Sequence, residues 1–226
     1  MSTNASIQFS PVPSSKAHSH PVPLHPLTGT IELTGAPMSF PRNAEIYGEN
    51  EPADYLYKVI SGNVRTYRVL NDGRRQIGAF YLPGDIFGLE VGAEHQFSAE
   101  AISDAKVLVI KRSALVGLAN RDGEVARQLW SFTARELRRV QDHALLLIKS
   151  AQQRVASFLL EMAERAAHAD TIELPMSRQD IADYLGLTIE TVSRTLTQLE
   201  TEAAIALPTS RRIVLRNRRA LNELNA

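Results

Sequence analysis

Between residues 29 and 112 apolar and polar positions alternate in short runs, YLYKVISGNVRTYRVL, RRQIGAFYLPGDIFGL and KVLVIKR, separated by Gly, Asn and Asp. Tyr55, Tyr57, Val59, Val64, Tyr67 and Val69, together with Gly62, carry a period of two that turns one side of each run toward a core. NDGR, residues 71–74, holds the Asp-Gly step of a tight hairpin. The pattern predicts an antiparallel roll or barrel. Beyond Arg121 the period lengthens, with Val125, Leu129, Phe132, Leu137, Val140, Ala144, Leu147 and Ile148 recurring at threes and fours. This predicts one helix over 121–149, about 42 Å long at 1.5 Å per residue. Such a stripe with arginines alongside suits a seam between two copies of the chain, and Val125, Leu129, Phe132, Leu137, Val140, Ala144 and Leu147 are its expected contacts.

A second helical period runs from Ala151 to Ala167, with Val155, Phe158, Leu159 and Met162 on one face, and then an extended stretch ends at Pro175. Ser177 followed by Asp180 has the spacing of a helix start, which makes Ser177 a cap. Next comes DIADYLGLTIETVSRTLTQLE, residues 180–200. Ile181, Leu185, Leu187, Val192, Leu196 and Leu199 are spaced to bury one side of two helices that meet at Gly186. Gly186 supplies the turn's backbone angle and Thr188 caps the second helix, so the pattern is a helix-turn-helix.

In that motif the start of the second helix enters the major groove. Glu190 and Arg194, four apart, share a face there with Ser193. Arg bonds bidentately to guanine O6 and N7, and Glu accepts from the cytosine amino group, so the pair suits G·C readout. The plainer alternative is an intrahelical ion pair worth a few tenths of a kcal/mol. Ile189 and Thr191 offer methyl groups to thymine or brace the helix, and Ser193 reaches a base edge or a phosphate. AIALPTSRRIVL, residues 204–215, reads as a hairpin with Arg211 and Arg212 near its tip, placed for phosphates.

Charge adds little in bulk, because 25 basic residues balance 25 acidic ones. Locally it matters: residues 205–226 hold Arg211, Arg212, Arg216, Arg218 and Arg219 against Glu223. The chain has no cysteine, which rules out a disulfide framework, a cysteine-ligated iron–sulfur cluster and a thiol nucleophile. No run approaches the roughly 20 apolar residues of a spanning helix and no signal peptide is visible, so a cytoplasmic, non-membrane protein is expected. Residues 1–28, rich in Pro, Ser and His, read as a loose arm in which His18, His20 and His25 lack fixed metal-binding geometry. His95 is the only histidine of the roll, too few for a cupin-type metal enzyme, and no metal, cofactor or catalysis is expected.

DYLGLTIETVSRTLTQLE, with YKVISGNVRTYR and LPGDIFGLE ahead of it, resembles the CRP/FNR superfamily of transcription regulators, most closely its FixK-type branch. The resemblance implies an α+β chain: a cyclic-nucleotide-binding-like roll (29–120), a dimerisation helix (121–149) and a winged helix-turn-helix (150–226). It also implies homodimers on inverted TTGA-type repeats, with Glu190, Ser193 and Arg194 reading bases beside Ile189. Ser177, Arg178, Thr188, Thr191, Arg211 and Arg212 would then meet the backbone of double-stranded DNA, and RNA polymerase would be a partner. Relatives that bind cyclic AMP place an Arg before Ser-Ala or Thr-Ala, whereas HQFSAEA puts Phe97 there, although Gly88 and Glu90 keep part of the pattern. Oxygen-sensing relatives use cluster-binding cysteines. The expectation is an activator without a small-molecule effector, acting on low-oxygen, denitrification or nitrogen-fixation genes. The alternative is an effector-dependent regulator holding a nucleotide or heme in the roll.

Overall fold

A computed structural model describes residues 35–166 and 170–225; the expected arm and its three histidines lie outside them. The roll is two antiparallel four-stranded sheets. One is ordered β1 (Ala36–Phe40), β8 (Ala105–Lys111), β3 (Tyr55–Ser61), β6 (Ile86–Phe87), and the other β2 (Glu45–Tyr47), β7 (Ser98–Ala101), β4 (Val64–Val69), β5 (Arg75–Tyr81). Tyr47, Tyr57, Val59, Val64, Phe87, Ala99 and Val107 form the core between them. β4 and β5 make the hairpin foreseen at NDGR, where Gly73 has φ +83° and Asp72 accepts hydrogen bonds from the Arg74 amide and guanidinium.

Strict alternation fails in β3. Leu56 and Tyr57, adjacent in sequence, are both buried, while Tyr55 is exposed at the strand's end. The strand is covered on both faces, because α1 (Arg112–Ala119) and the start of α2 (Gly123–Leu146) close over Leu56 and Ile110 with Leu115 and Val125. A strand buried on both sides has no polar face to alternate with.

α2 starts at Asp122, whose side chain accepts from the Glu124 amide, and its 24 residues span about 36 Å. The expected seam divides between two faces of this helix. Val125 and Phe132 are buried and Leu129 packs against the Leu56 cluster, so these three serve the chain's own core instead of an outward stripe. Leu147, just past the helix, is half-buried. Leu137, Val140 and Ala144 are exposed, as are Leu145, Trp130 (76 %) and Ile148 (81 %). The threes-and-fours rule merged two neighbouring faces of the helix, one inward and one outward, into one stripe, since both contain apolar residues at helical spacing.

α3 (Ala151–Arg165) begins with a capping box between Ser150 and Gln153 and buries Val155, Phe158, Leu159 and Met162. These pack with α4 (Arg178–Leu185), α5 (Ile189–Thr201), α6 (Arg218–Glu223) and a small sheet ordered β10 (Ile205–Ala206), β11 (Arg212–Leu215), β9 (Thr171–Glu173). Their core continues into the roll through Ile77, Phe80 and Ile102. The Phe80 carbonyl accepts from Arg139 of α2 (2.6 Å) and Arg165 of α3 (2.9 Å), and its ring lies against Phe158 and Tyr184. No helix among the described residues is long and apolar enough to cross a membrane.

Candidate nucleic-acid interface

Local sequence determines where the reading helix points. Ser177 accepts from the Asp180 amide while Asp180 Oδ2 accepts from the Ser177 amide (3.0 Å) and hydroxyl (2.9 Å), a reciprocal cap at the start of α4. α4 stops at Gly186, where φ is +62° and ψ +40°, a left-handed conformation that favours glycine. Arg154 of α3 holds the turn from below, donating from Nη1 to the carbonyls of Leu185 (2.9 Å) and Gly186 (3.3 Å). Thr188 then accepts from the Thr191 amide (3.2 Å) and starts α5. Val192, Thr195, Leu196 and Leu199 bury the inner face of α5.

The outer face carries the residues singled out from sequence. Ile189, Glu190, Ser193 and Arg194 are exposed, Thr188 is exposed beside them, and Thr191 is half-buried. Among the ion pairs of the described residues, Glu190 and Arg194 do not pair with each other or with any third group. The ordinary helical ion pair is therefore not what holds these two on one face. The Glu190 carboxyl sits below the usual carboxylate range because its own amide and the Thr188 hydroxyl bond to it, which keeps it an acceptor at neutral pH. Thr197 extends the same face one turn on, its hydroxyl bonded to the Ser193 carbonyl (3.1 Å). Its place four residues beyond Ser193 is legible from the helical spacing of the sequence.

Around this face stand the expected backbone contacts. Ser177 is exposed; Arg178 is partly buried, with Nη1 enclosed and unpartnered and its charge disfavoured by burial. β10 and β11 pair Ile205 with Leu215 and Ala206 with Val214, so the chain between them forms the hairpin tip, with Arg211 and Arg212 exposed. The Arg211 and Arg212 amides both donate to Thr209 Oγ1 (3.3 and 3.0 Å), which shapes that tip.

In the roll, the Phe97 ring lies on Gly78, where a Cβ would come within 3.0 Å of it. Glu90 accepts from the Gln96 amide (3.2 Å) and lies 3.6 Å from His95 Nδ1. His95 is 1 % exposed, stacked on Tyr47 with ring centres 3.6 Å apart, and neither ring nitrogen has a hydrogen-bond partner.

Two family models match in succession: a cyclic nucleotide-binding domain over residues 37–122 and a Crp-like helix-turn-helix domain over 153–224. The nitrogen fixation regulation protein FixK of Azorhizobium caulinodans is 46 % identical over 100 % of both chains. The chain belongs to the CRP/FNR family. Within that family it is of the FixK type: the FixK protein of Rhizobium meliloti is 43 % identical over 85 % of this chain and 92 % of its own. The structure of FixK2 from Bradyrhizobium japonicum superposes with a TM-score of 0.82 at 56 % identity, covering 86 % of this chain and 98 % of that one. As a CRP/FNR regulator the chain binds DNA through its helix-turn-helix, and the roll, helices and winged domain are the fold its resemblance implied.

Proposed function

We propose that this protein is a homodimeric activator that reads inverted TTGA-type repeats and recruits RNA polymerase without a small-molecule effector. Its target genes would serve nitrogen fixation, denitrification or low-oxygen respiration, in keeping with the names of its FixK relatives. The observation that carries the reading is the first turn and a half of α5, where Glu190, Ser193 and Arg194 are exposed and unpaired on a helix whose opposite face is buried. A helix end whose charged side chains form no ion pair keeps Arg194 donors and a Glu190 acceptor free for base edges. Arg178, Arg211 and Arg212, with Ser177, Thr188 and Thr191, surround that face as phosphate contacts.

Effector independence rests on the roll. A cyclic phosphate needs a cation, and Phe97 stands where relatives place one. Glu90 already accepts from the Gln96 amide, and the stacked, enclosed His95 ring is packed as a core group instead of an axial ligand. The exposed stripe of α2, Trp130, Leu137, Val140 and Ala144, with Ile148 just past its end, supplies the dimer seam. The reading is tested by fluorescence anisotropy of ligand-free protein on an inverted TTGA repeat and on a scrambled duplex at two salt concentrations. Selective binding without additives is expected; selectivity that emerges only with a nucleotide or heme would replace it with the effector-dependent alternative.

A further inference from the structure

The face of α4 turned away from α5's reading residues is tied to the roll by charge. Arg65 of β4 donates from Nη1 to Asp180 Oδ1 (2.8 Å) and from Nη2 to Glu100 Oε1 (2.8 Å). Arg75 of β5 donates from Nη2 to the same Asp180 oxygen (2.6 Å) and from Nε to Asp183 Oδ2 (2.8 Å), one turn further along α4. Arg65 is 8 % exposed and Asp180 3 %. The two oxygens of Asp180 divide the work. Oδ2 caps α4 through Ser177, and Oδ1 receives both arginines from the roll. Burial alone would raise the Asp180 carboxyl, yet the Ser177 bonds and the two guanidiniums outweigh it and hold the group below its ordinary value.

Apolar packing already joins roll and winged domain through Phe80, Phe158 and Tyr184, so the arginines are not needed to hold the two together. Buried ion pairs contribute little net stability compared with apolar replacements, but their short directional bonds fix a register. Here the register is the attitude of α4. The Gly186 turn is braced by Arg154, so α4 carries α5 with it. A dimer on an inverted repeat must present two reading helices one helical turn of DNA apart, roughly 34 Å, so a small tilt of each helix alters the spacing that fits.

We propose that Arg65 and Arg75 are positioning residues for DNA recognition: by clamping Asp180 and Asp183 they set the attitude of α5 and thereby the half-site spacing that the dimer accepts. This rests on the reading of the protein as a dimer on inverted repeats. It also accounts for how the helix-turn-helix is held ready without a ligand in the roll.

The test compares full-length wild type with Arg75→Asp, Asp183→Arg, the double swap Arg75→Asp with Asp183→Arg, and the near-isosteric Asp183→Asn. Each is titrated onto inverted-repeat duplexes whose spacer varies one base pair at a time, and onto a lone half-site. Thermal melts report folding. Wild type should favour one spacer about tenfold over a spacer two base pairs longer. The single variants should lose most of that preference while half-site affinity stays within about twofold, and the double swap should recover it only in part, because the carboxylate it sets at position 75 faces Asp180. Were a charge reversal to prevent folding, Asp183→Asn alone would carry the comparison. Spacer preference unchanged in Asp183→Asn, or tighter binding by the variants, overturns the proposal, since the clamp would then be merely structural or restraining. A wild type that shows no sequence-selective binding would defeat the function reading itself, a result distinct from selective wild type with equally selective variants.

Discussion

Arg194 and Arg211 are both exposed arginines, but their anchorage differs. Arg194 stands on a helix locked by the Thr188 cap and a buried inner face, whereas Arg211 sits at a hairpin tip shaped by Thr209. A base contact needs the first kind of rigidity; a phosphate contact tolerates the second. Arg194→Ala should therefore cost about 1–3 kcal/mol on the specific site and relax discrimination at one base pair. Arg211→Ala should weaken all sequences alike and flatten the slope of log K against log salt by about one unit. Anisotropy on a panel of single-base variants separates the two, and equal losses on specific and random DNA for Arg194→Ala would remove its reading role. His95 makes a prediction of another kind. Burial lowers its proton affinity, and Glu90, Glu51 and Arg112 only modulate that. Below the unfolded value of about 6.5 the unfolded chain binds the proton more readily, so the stability given by neutral His95 is lost as pH falls toward the folded value. Replacing it by Gln should flatten the fall of Tm as pH drops below about 6.5. An unchanged slope would show that His95 does not titrate there.

Elements were legible from sequence where local chemistry alone decides them. The Ser177–Asp180 box, the Gly186 turn and the Thr188 cap are all short-range, and each stands where its residues placed it. Gly186 also allows a quantitative check. A Cβ there would find only ordinary contacts, 3.6 Å from both Arg154 Nη1 and a Leu147 methyl, so Gly186→Ala carries backbone strain and little steric cost. Its expected destabilisation is about 1–2 kcal/mol in chemical unfolding, and a much larger loss would mean that the turn is packed more tightly than its contacts show. Helix α1 and the double burial of β3 were not legible. Both follow from what closes over the roll, and a period-two reading of Tyr55–Ser61 holds no information about a cover supplied more than fifty residues later. Arg65 and Arg75 escaped for the same reason: their partners, Asp180 and Asp183, lie more than a hundred positions along the chain, and nothing in the strand sequences marks them.

At the scale of the whole molecule, α2 serves two masters with two faces. Val125 and Phe132 and, further along, Arg139 and Leu146 turn toward the chain's own roll and winged domain; Trp130, Leu137, Val140, Ala144 and Leu145 turn out, as does Ile148 just past the helix. An exposed row of large apolar side chains along a helix is costly in water and is relieved when a second copy covers it. If that row is the seam, it joins the two reading helices mechanically, because α2 runs into α3 through the Ser150 cap and α3 braces the Gly186 turn through Arg154. Leu137→Glu with Ile148→Glu places like charges across a two-fold contact without touching either core. The variant should melt within a few degrees of wild type, since surface changes away from packed groups usually cost under about 0.5 kcal/mol each. In analytical ultracentrifugation it should sediment as a monomer where wild type sediments as a dimer. On DNA the consequence follows from linkage. Two half-sites engaged by separate monomers forfeit the effective concentration that the seam provides, so affinity for the full inverted repeat should fall by about a hundredfold or more toward that for a lone half-site. A variant that remains dimeric would place the seam elsewhere and leave the outward row of α2 for another partner.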